Sequence, residues 1–225
     1  AFEFIQKPFD HDVLMNFIKR AIENFNLKNE NQNLQLQLFH SYELIGSSPN
    51  IMGIKDQINK ISTSESRVLI NGPTGSGKEL VARKIHKNSP RNKNPFIILN
   101  GALLDSTKYE LELFGEEKEN GLISFGALEK ANKGTLLIDH ISEIPLDIQS
   151  KILRVLIDQK FKRINGTQDI NVDVRLICSS NSDLKKEIIN GNFREDLFHR
   201  INVFEINIDP LNQRISDIPL LIKYF

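Results

Sequence analysis

The 225-residue chain balances 29 Lys and Arg against 29 Asp and Glu and is 40% hydrophobic. This predicts a globular body with one good-sized core and excludes a global basic field able to gather nucleic acid or an anionic membrane. No apolar run approaches the roughly 20 residues of a membrane span, the opening AFEFIQKPFD lacks the basic and apolar regions of a signal peptide, and the single cysteine, Cys178, excludes an internal disulfide; a cytoplasmic protein with no membrane contact is expected.

Residues 2 to 9 read as a short strand broken at Lys7-Pro8. Asp10 then caps a helix carrying Leu14, Phe17, Ile18, Ala21, Ile22 and Phe25 at helical spacing. From Leu27 to Phe39 the chain turns Asn- and Gln-rich, with Leu27, Asn31, Leu34 and Leu38 at coiled-coil spacing. A pairing helix and a solvated linker both fit that stretch. The loop SYELIGSSPN marks a domain boundary, which divides the chain into 1–25, 26–43 and 44–225.

Beyond it, apolar runs alternate with helical ones. Strands are expected at 67–71, 96–100, 135–139, 174–180 and 203–208, each largely apolar on both faces. Helical patterns fall between them at 51–62, 77–88, 107–114, 147–160 and 183–190. The order predicts an α/β fold with a five-stranded parallel sheet between helices and right-handed crossovers. Cys178, inside the run VRLICSS, is expected to be a small buried core residue. Ile148, Ile152, Leu153, Leu156 and Ile157 share one helix face, as core or subunit packing would require. The acidic set Glu110, Glu112, Glu116, Glu117 and Glu119 reads as a solvated face, and His11, His40, His86 and His199 do not cluster at zinc-ligand spacing.

The strongest chemical signal is NGPTGSGKEL, residues 71 to 80, which fits GxxxxGK at Gly72, Gly77 and Lys78 between an apolar strand and a helix. In such a loop Gly72, Pro73, Thr74, Gly75, Ser76 and Gly77 wrap phosphates with backbone N–H groups. The helix N-terminus adds its positive end, and Lys78 reaches the outer phosphates. Glu79 follows where a Ser or Thr hydroxyl often touches Mg²⁺, so metal binding leans on Asp139, at the end of the strand TLLID. ATP and Mg²⁺ are therefore the expected cofactors.

The segments GPTGSGKELVARKIHKNS, PFIILNGALL, ELFGEE, GALEKANKGTLLID, KILRVLIDQKFKRINGT, VDVRLICSSNSDL and GNFREDLFHRINVFEINIDPLNQRISDIPLL together resemble the AAA+ domain of bacterial enhancer-binding proteins that work with sigma-54 RNA polymerase. The resemblance covers residues 44 to 225. AFEFIQKPFDHDVLMNFIKRAI resembles the last strand and helix of a response-regulator receiver domain. The resemblance makes Glu79 a family trait, Asp139 the Walker B carboxylate that helps hold Mg²⁺, Asn181 the sensor near the γ-phosphate, and Asn100 the polar switch position. It places Ile45 with the nucleotide-binding residues, and makes Arg194 and Arg200 the arginines that reach a neighbouring subunit's nucleotide. It implies a homo-oligomer, dimer or ring, in the full-length protein, with RNA polymerase as a partner. It further implies a sensor kinase acting through a receiver domain and DNA contacted through a C-terminal domain. That DNA-binding domain, the helical lid and most of the receiver domain are expected to lie outside this chain.

Two departures set this sequence apart from the family pattern. The family's sigma-54-contacting loop GAFTGA would follow ELFGEEK, but residues 119 to 125 read ENGLISF and the insertion is about four residues short. The shortened loop, together with GALEKANKGTLLID and KILRVLIDQKFKRINGT, resembles the NtrX type of regulator and argues against classical sigma-54 remodelling. The other departure is His140, where ATP-hydrolysing members carry a Glu that orients the attacking water. A general base contributes roughly 10²–10⁴ in rate, so turnover is expected to fall on that scale. Glu143 is a weak substitute, because Pro145 argues against a regular helix there. A nucleotide-gated switch without turnover is the alternative reading.

Overall fold

The structure, a computed structural model, describes Met15, Ile22 and residues 43–225 apart from 104–105 and 119–120. The receiver-like and linker readings fall almost wholly outside the described residues. Met15 and Ile22 are helical and exposed. Leu44–Phe225 form one compact unit, and Ala1–Glu43 fall outside it.

Five parallel strands make the central sheet: β1 (Val68–Asn71), β2 (Phe96–Asn100), β5 (Thr135–Asp139), β8 (Arg175–Ser180) and β9 (Phe204–Asn207). The five-stranded parallel sheet is as expected, and its spatial order is β2-β5-β8-β1-β9. Side chains alternate across the pleat, so each strand feeds two cores. On one face Val68, Ile70, Leu137, Ile177 and Ile206 meet helices α1 (Pro49–Ser62) and α2 (Lys78–Lys87) through Ile51, Ile54, Ile58, Val81 and Ile85. On the other, Leu69, Leu99, Leu136, Ile138 and Cys178 meet α3 (Ser106–Phe114), α4 (Ala127–Lys130), α5 (Leu146–Asp158) and the later helices. Cys178 is buried, and burial pushes its thiol pKa up.

Local chemistry corrects the expected boundaries. α1 starts at Pro49 because the Ser48 hydroxyl accepts from Ile51 N and proline fits the first turn. α5 stops before Gln159, which turns left-handed at φ 53°. Ile157, assigned to the packed face, is 58% exposed, while Val155 takes a core position.

Two small antiparallel hairpins escape the periodicity: β3 (Gly115–Glu117) with β4 (Ile123–Phe125), and β6 (Lys160–Phe161) with β7 (Ile170–Asn171). Later come α6 (Leu184–Ile189), α7 (Glu195–Ile201) and α8 (Ile218–Tyr224). The acidic set is less solvated than its composition implies. Arg163 bonds Glu117 at 2.8 Å and Glu129 at 2.6 Å, and Lys151 pairs with Glu110.

Buried Arg175, at the start of β8, donates to the carbonyls of Ile61 and Ser62 and so satisfies the C-terminal end of α1. His86 on α2 is buried with its Nδ1 2.9 Å from Thr135 Oγ1. Burial, reinforced by the charges of Arg175 and Arg83 and opposed by a backbone hydrogen bond at Asn94, lowers its pKa from 6.5 to about 4. Folding therefore favours the neutral ring. Its contribution is whole above pH 6.5 and is lost as the pH falls toward 4, by up to about 3 kcal/mol. Urea unfolding of the chain from pH 7 to pH 4 is expected to show this decline, and His86→Phe to flatten it.

Candidate functional site

Parallel pairing puts the C-terminal ends of the strands on one edge, where α/β sheets bind ligands. Asn100 lies in register with Asp139, and Asn71 in register with Ser180. Gly72 N donates to the Ser180 carbonyl, so the loop leaves β1 from the ladder itself. The loop then winds through Gly75 (φ 77°) and Gly77 (φ 101°), left-handed conformations that glycine adopts without a Cβ penalty. Gly72 has a different reason: a methyl there would come within 2.8 Å of Ser76 Oγ and 2.9 Å of the Ile208 carbonyl.

Gly77 caps α2, and Lys78 opens it. The buried Lys78 ammonium donates to the carbonyls of Gly72 and Pro73 at 2.8 and 3.0 Å. Burial lowers its pKa and the Asp139 carboxylate works against that. Pro73, Thr74 and Gly75 are exposed at the rim, while Ser76 is buried. Glu79 sits outside the loop, paired with Arg83 at 2.7 Å. An open cleft of about 580 Å³ beside the loop is lined by Gly72, Pro73, Asn181 and Ser182, among others.

Asp139 ends β5 with one oxygen, Oδ1, accepting from the Ser179 hydroxyl. Its Oδ2 faces His140 Nε2 at 3.7 Å. His140 is itself left-handed (φ 57°, ψ 48°), uncommon for a residue with a side chain. That bend starts a 3-10 turn over Ile141–Glu143 and carries the Glu143 carboxylate to 3.7 Å from His140 Nδ1. The turn is 3-10 and not a regular helix, and it alone brings Glu143 beside the ring. The imidazole lies between two carboxylates, with its Nδ1 buried and lacking a hydrogen bond. Tyr109 Oη is buried below them; burial first, then the charges of Glu143 and Asp139, raises its pKa.

The remaining sequence-derived residues divide. Asn181 Oδ1 receives the hydroxyls of Ser142 and Ser182, at 3.4 and 3.3 Å, on the same edge. Asn100 Oδ1 accepts from Ala102 N and holds the chain as it leaves β2. Ile45 is half-buried, next to buried Gly46. Arg194 and Arg200 are committed elsewhere: Arg194 bonds Asp196 at 2.6 Å, and Arg200 donates to the Leu156 carbonyl at 3.2 Å.

Sequence reading missed Ser179, Ser142 and Gly101. Only Gly101 left a signal, as a glycine directly after a strand end. No group of three or more His, Cys, Asp or Glu side chains suited to a metal occurs among the described residues. Asp139 offers a carboxylate at this edge, a donor that would suit Mg²⁺ where phosphate oxygens and water supplied the rest of the shell. No helix among the described residues is long and apolar enough to cross a membrane.

Residues 44–207 match the family of the Sigma-54 interaction domain. The chain is similar to the nitrogen assimilation regulatory protein NtrX of Azorhizobium caulinodans, 42% identical over 226 residues that span 100% of this chain and 50% of that protein. It is also similar to the DNA-binding transcriptional regulator NtrC of Escherichia coli, 42% identical over 229 residues, with 100% and 49% covered. A crystal structure of NtrX from Brucella abortus in complex with ATP matches it with a TM-score of 0.81 at 41% identity, covering 100% of this chain and 51% of that one. The chain thus spans about half the length of these relatives.

A methyl at Gly101 would come within 2.5 Å of Tyr109 Oη, 2.6 Å of the His140 carbonyl and 2.8 Å of the Asp139 carbonyl. Gly101→Ala is expected to lower the unfolding free energy by about 1–3 kcal/mol, read from urea denaturation.

Proposed function

We propose that this chain, which belongs to the Sigma-54 interaction domain family, is the ATP-binding AAA+ module of a two-component transcription regulator with weakened hydrolysis. The observation that carries the reading is the strand–loop–helix of residues 68–87, whose glycine-wound turn brings the Lys78 ammonium within electrostatic reach of the Asp139 carboxylate, two strands away at the same sheet edge. In this reading the loop N–H groups and the positive end of α2 bind the β- and γ-phosphates. Lys78 shifts its donors from the Gly72 and Pro73 carbonyls to phosphate oxygens. Asp139 Oδ2 is the oxygen available to Mg²⁺, which would supply charge neutralisation at the phosphates; Ile45 borders the base.

His140 stands where a carboxylate would orient water. A neutral imidazole accepts a proton through one nitrogen only and adds no negative charge beside the metal. Glu143 flanks that ring at 3.7 Å. Asn181, held by two serine hydroxyls, and Asn100 complete the γ-phosphate end. Arg194 and Arg200 act in a neighbouring subunit's site within a dimer or ring. Both lie on exposed stretches of α7 and its cap, and Arg194 leaves Asp196 to do so.

The parent protein would receive a sensor kinase's phosphoryl group through its receiver domain, reach DNA through its C-terminal domain and act on RNA polymerase. The short β3–β4 hairpin argues against a sigma-54 contact of the family's usual form. The sedimentation of the chain with and without ATP tests the assembly part.

A second reading, a nucleotide-gated oligomerisation switch with no turnover, draws on the same His140. Titration with a fluorescent ATP analogue is expected to show binding that Lys78→Ala abolishes. Steady-state hydrolysis is expected to be slow in the natural chain and to rise roughly 10²- to 10⁴-fold in His140→Glu within an assembled ring. Equal and brisk rates in both proteins would remove the proposed defect, and no hydrolysis in either would favour the switch.

A further inference from the structure

Arg214 lies far along the chain from the phosphate loop, yet its Nη2 donates to the Ser76 carbonyl at 3.0 Å. The residue is 7% exposed, so the guanidinium is nearly out of water, where a cation is costly unless compensated. Its compensation comes from that carbonyl and from the charge of Asp217, which is fully buried. Asp217 in turn gathers the N–H groups of Ser47 and Ser48 at 2.7 Å each and the Ser48 hydroxyl at 2.6 Å. Gly46 leaves room for it: a methyl there would come within 2.8 Å of the carboxyl carbon. The segment 214–217 is therefore fastened at one end to the phosphate loop and at the other to the turn that opens α1.

A trans peptide points its C=O and N–H in opposite directions. Fixing the Ser76 carbonyl toward Arg214 therefore fixes the Gly77 N–H of the same peptide on the side away from Arg214. Gly77 has φ 101° and could otherwise rotate that peptide at little steric cost. We infer that Arg214 is a positioning residue for the phosphate loop, holding the Ser76–Gly77 peptide so that the Gly77 N–H faces bound phosphate. The inference rests on the nucleotide-binding reading above and adds a residue outside the loop motif to it.

The test uses a fluorescent ATP analogue on the 225-residue chain, with Lys78→Ala as the control. Arg214→Met keeps much of the bulk and removes the donor. It is expected to weaken ATP binding roughly tenfold or more, and Arg214→Lys to recover part of the loss. Competition by adenosine, which has no phosphates, is expected to match the natural chain in both variants. Independently of any variant, amide NMR is expected to show the Gly77 N–H moving downfield on addition of ATP, because it then donates to a phosphate oxygen.

Natural-chain binding lost in Lys78→Ala but retained in a folded Arg214→Met would overturn this inference alone. So would equal losses for ATP and adenosine, which would indicate a general structural role. Should Arg214→Met not fold, an unmoved Gly77 amide in the ATP-bound natural chain decides against it. No binding by the natural chain would remove the functional reading and this inference together.

Discussion

The parallel register of four neighbouring strands is the constraint on which the site depends. Pairing Asn100 with Asp139, Ile138 with Cys178 and Asn71 with Ser180 ends four strands at nearly one level. The residues just beyond those ends meet without contributing to either core. A slip by one residue would exchange the side chains packed into the two cores, so the packing that fixes the fold also fixes the spacing of Lys78, Asp139 and Asn181. Gly72 N bonding to the Ser180 carbonyl continues this ladder into the loop.

The sheet and its main helices were legible because they obey simple periods. Runs such as TLLID and RLICSS are buried on both sides, α1 repeats Ile51, Ile54, Ile58 and Ile61 at helical spacing, and α2 sets Val81, Ala82 and Ile85 on one face. The glycine loop was legible because its chemistry demands a fixed spacing between strand and helix. The two hairpins were not, since strands of two or three residues carry no measurable alternation. They are tied to each other by contacts between residues distant in sequence, such as the ion pair of Arg163 with Glu117. Nor could local sequence show that the turn at His140 would bring Glu143 to the ring, because a left-handed histidine is dictated by the surroundings and not by its own propensity.

Polar residues of the second layer were the hardest to read. Ser179 bonds Asp139, Ser142 and Ser182 hold Asn181, and Gln149 receives the Arg194 N–H at 2.9 Å while donating to the Ile144 carbonyl at 2.7 Å. Each is a small or neutral polar side chain whose partner lies 35 or more residues away in most cases, so its role exists only after folding. Such groups matter to the site because a charge in low dielectric takes its orientation from fixed neighbours.

The guanidinium of Arg163 holds two carboxylates, Glu117 on β3 and Glu129 on α4, and lies 5.5 Å from the centroid of the Phe125 ring on β4. One cation thus rivets both strands of the hairpin to the helix that follows. A displacement of the hairpin must drag α4 with it or break all these contacts in a single event. The hairpin is, in mechanical terms, a buttressed element tied to the helix behind it.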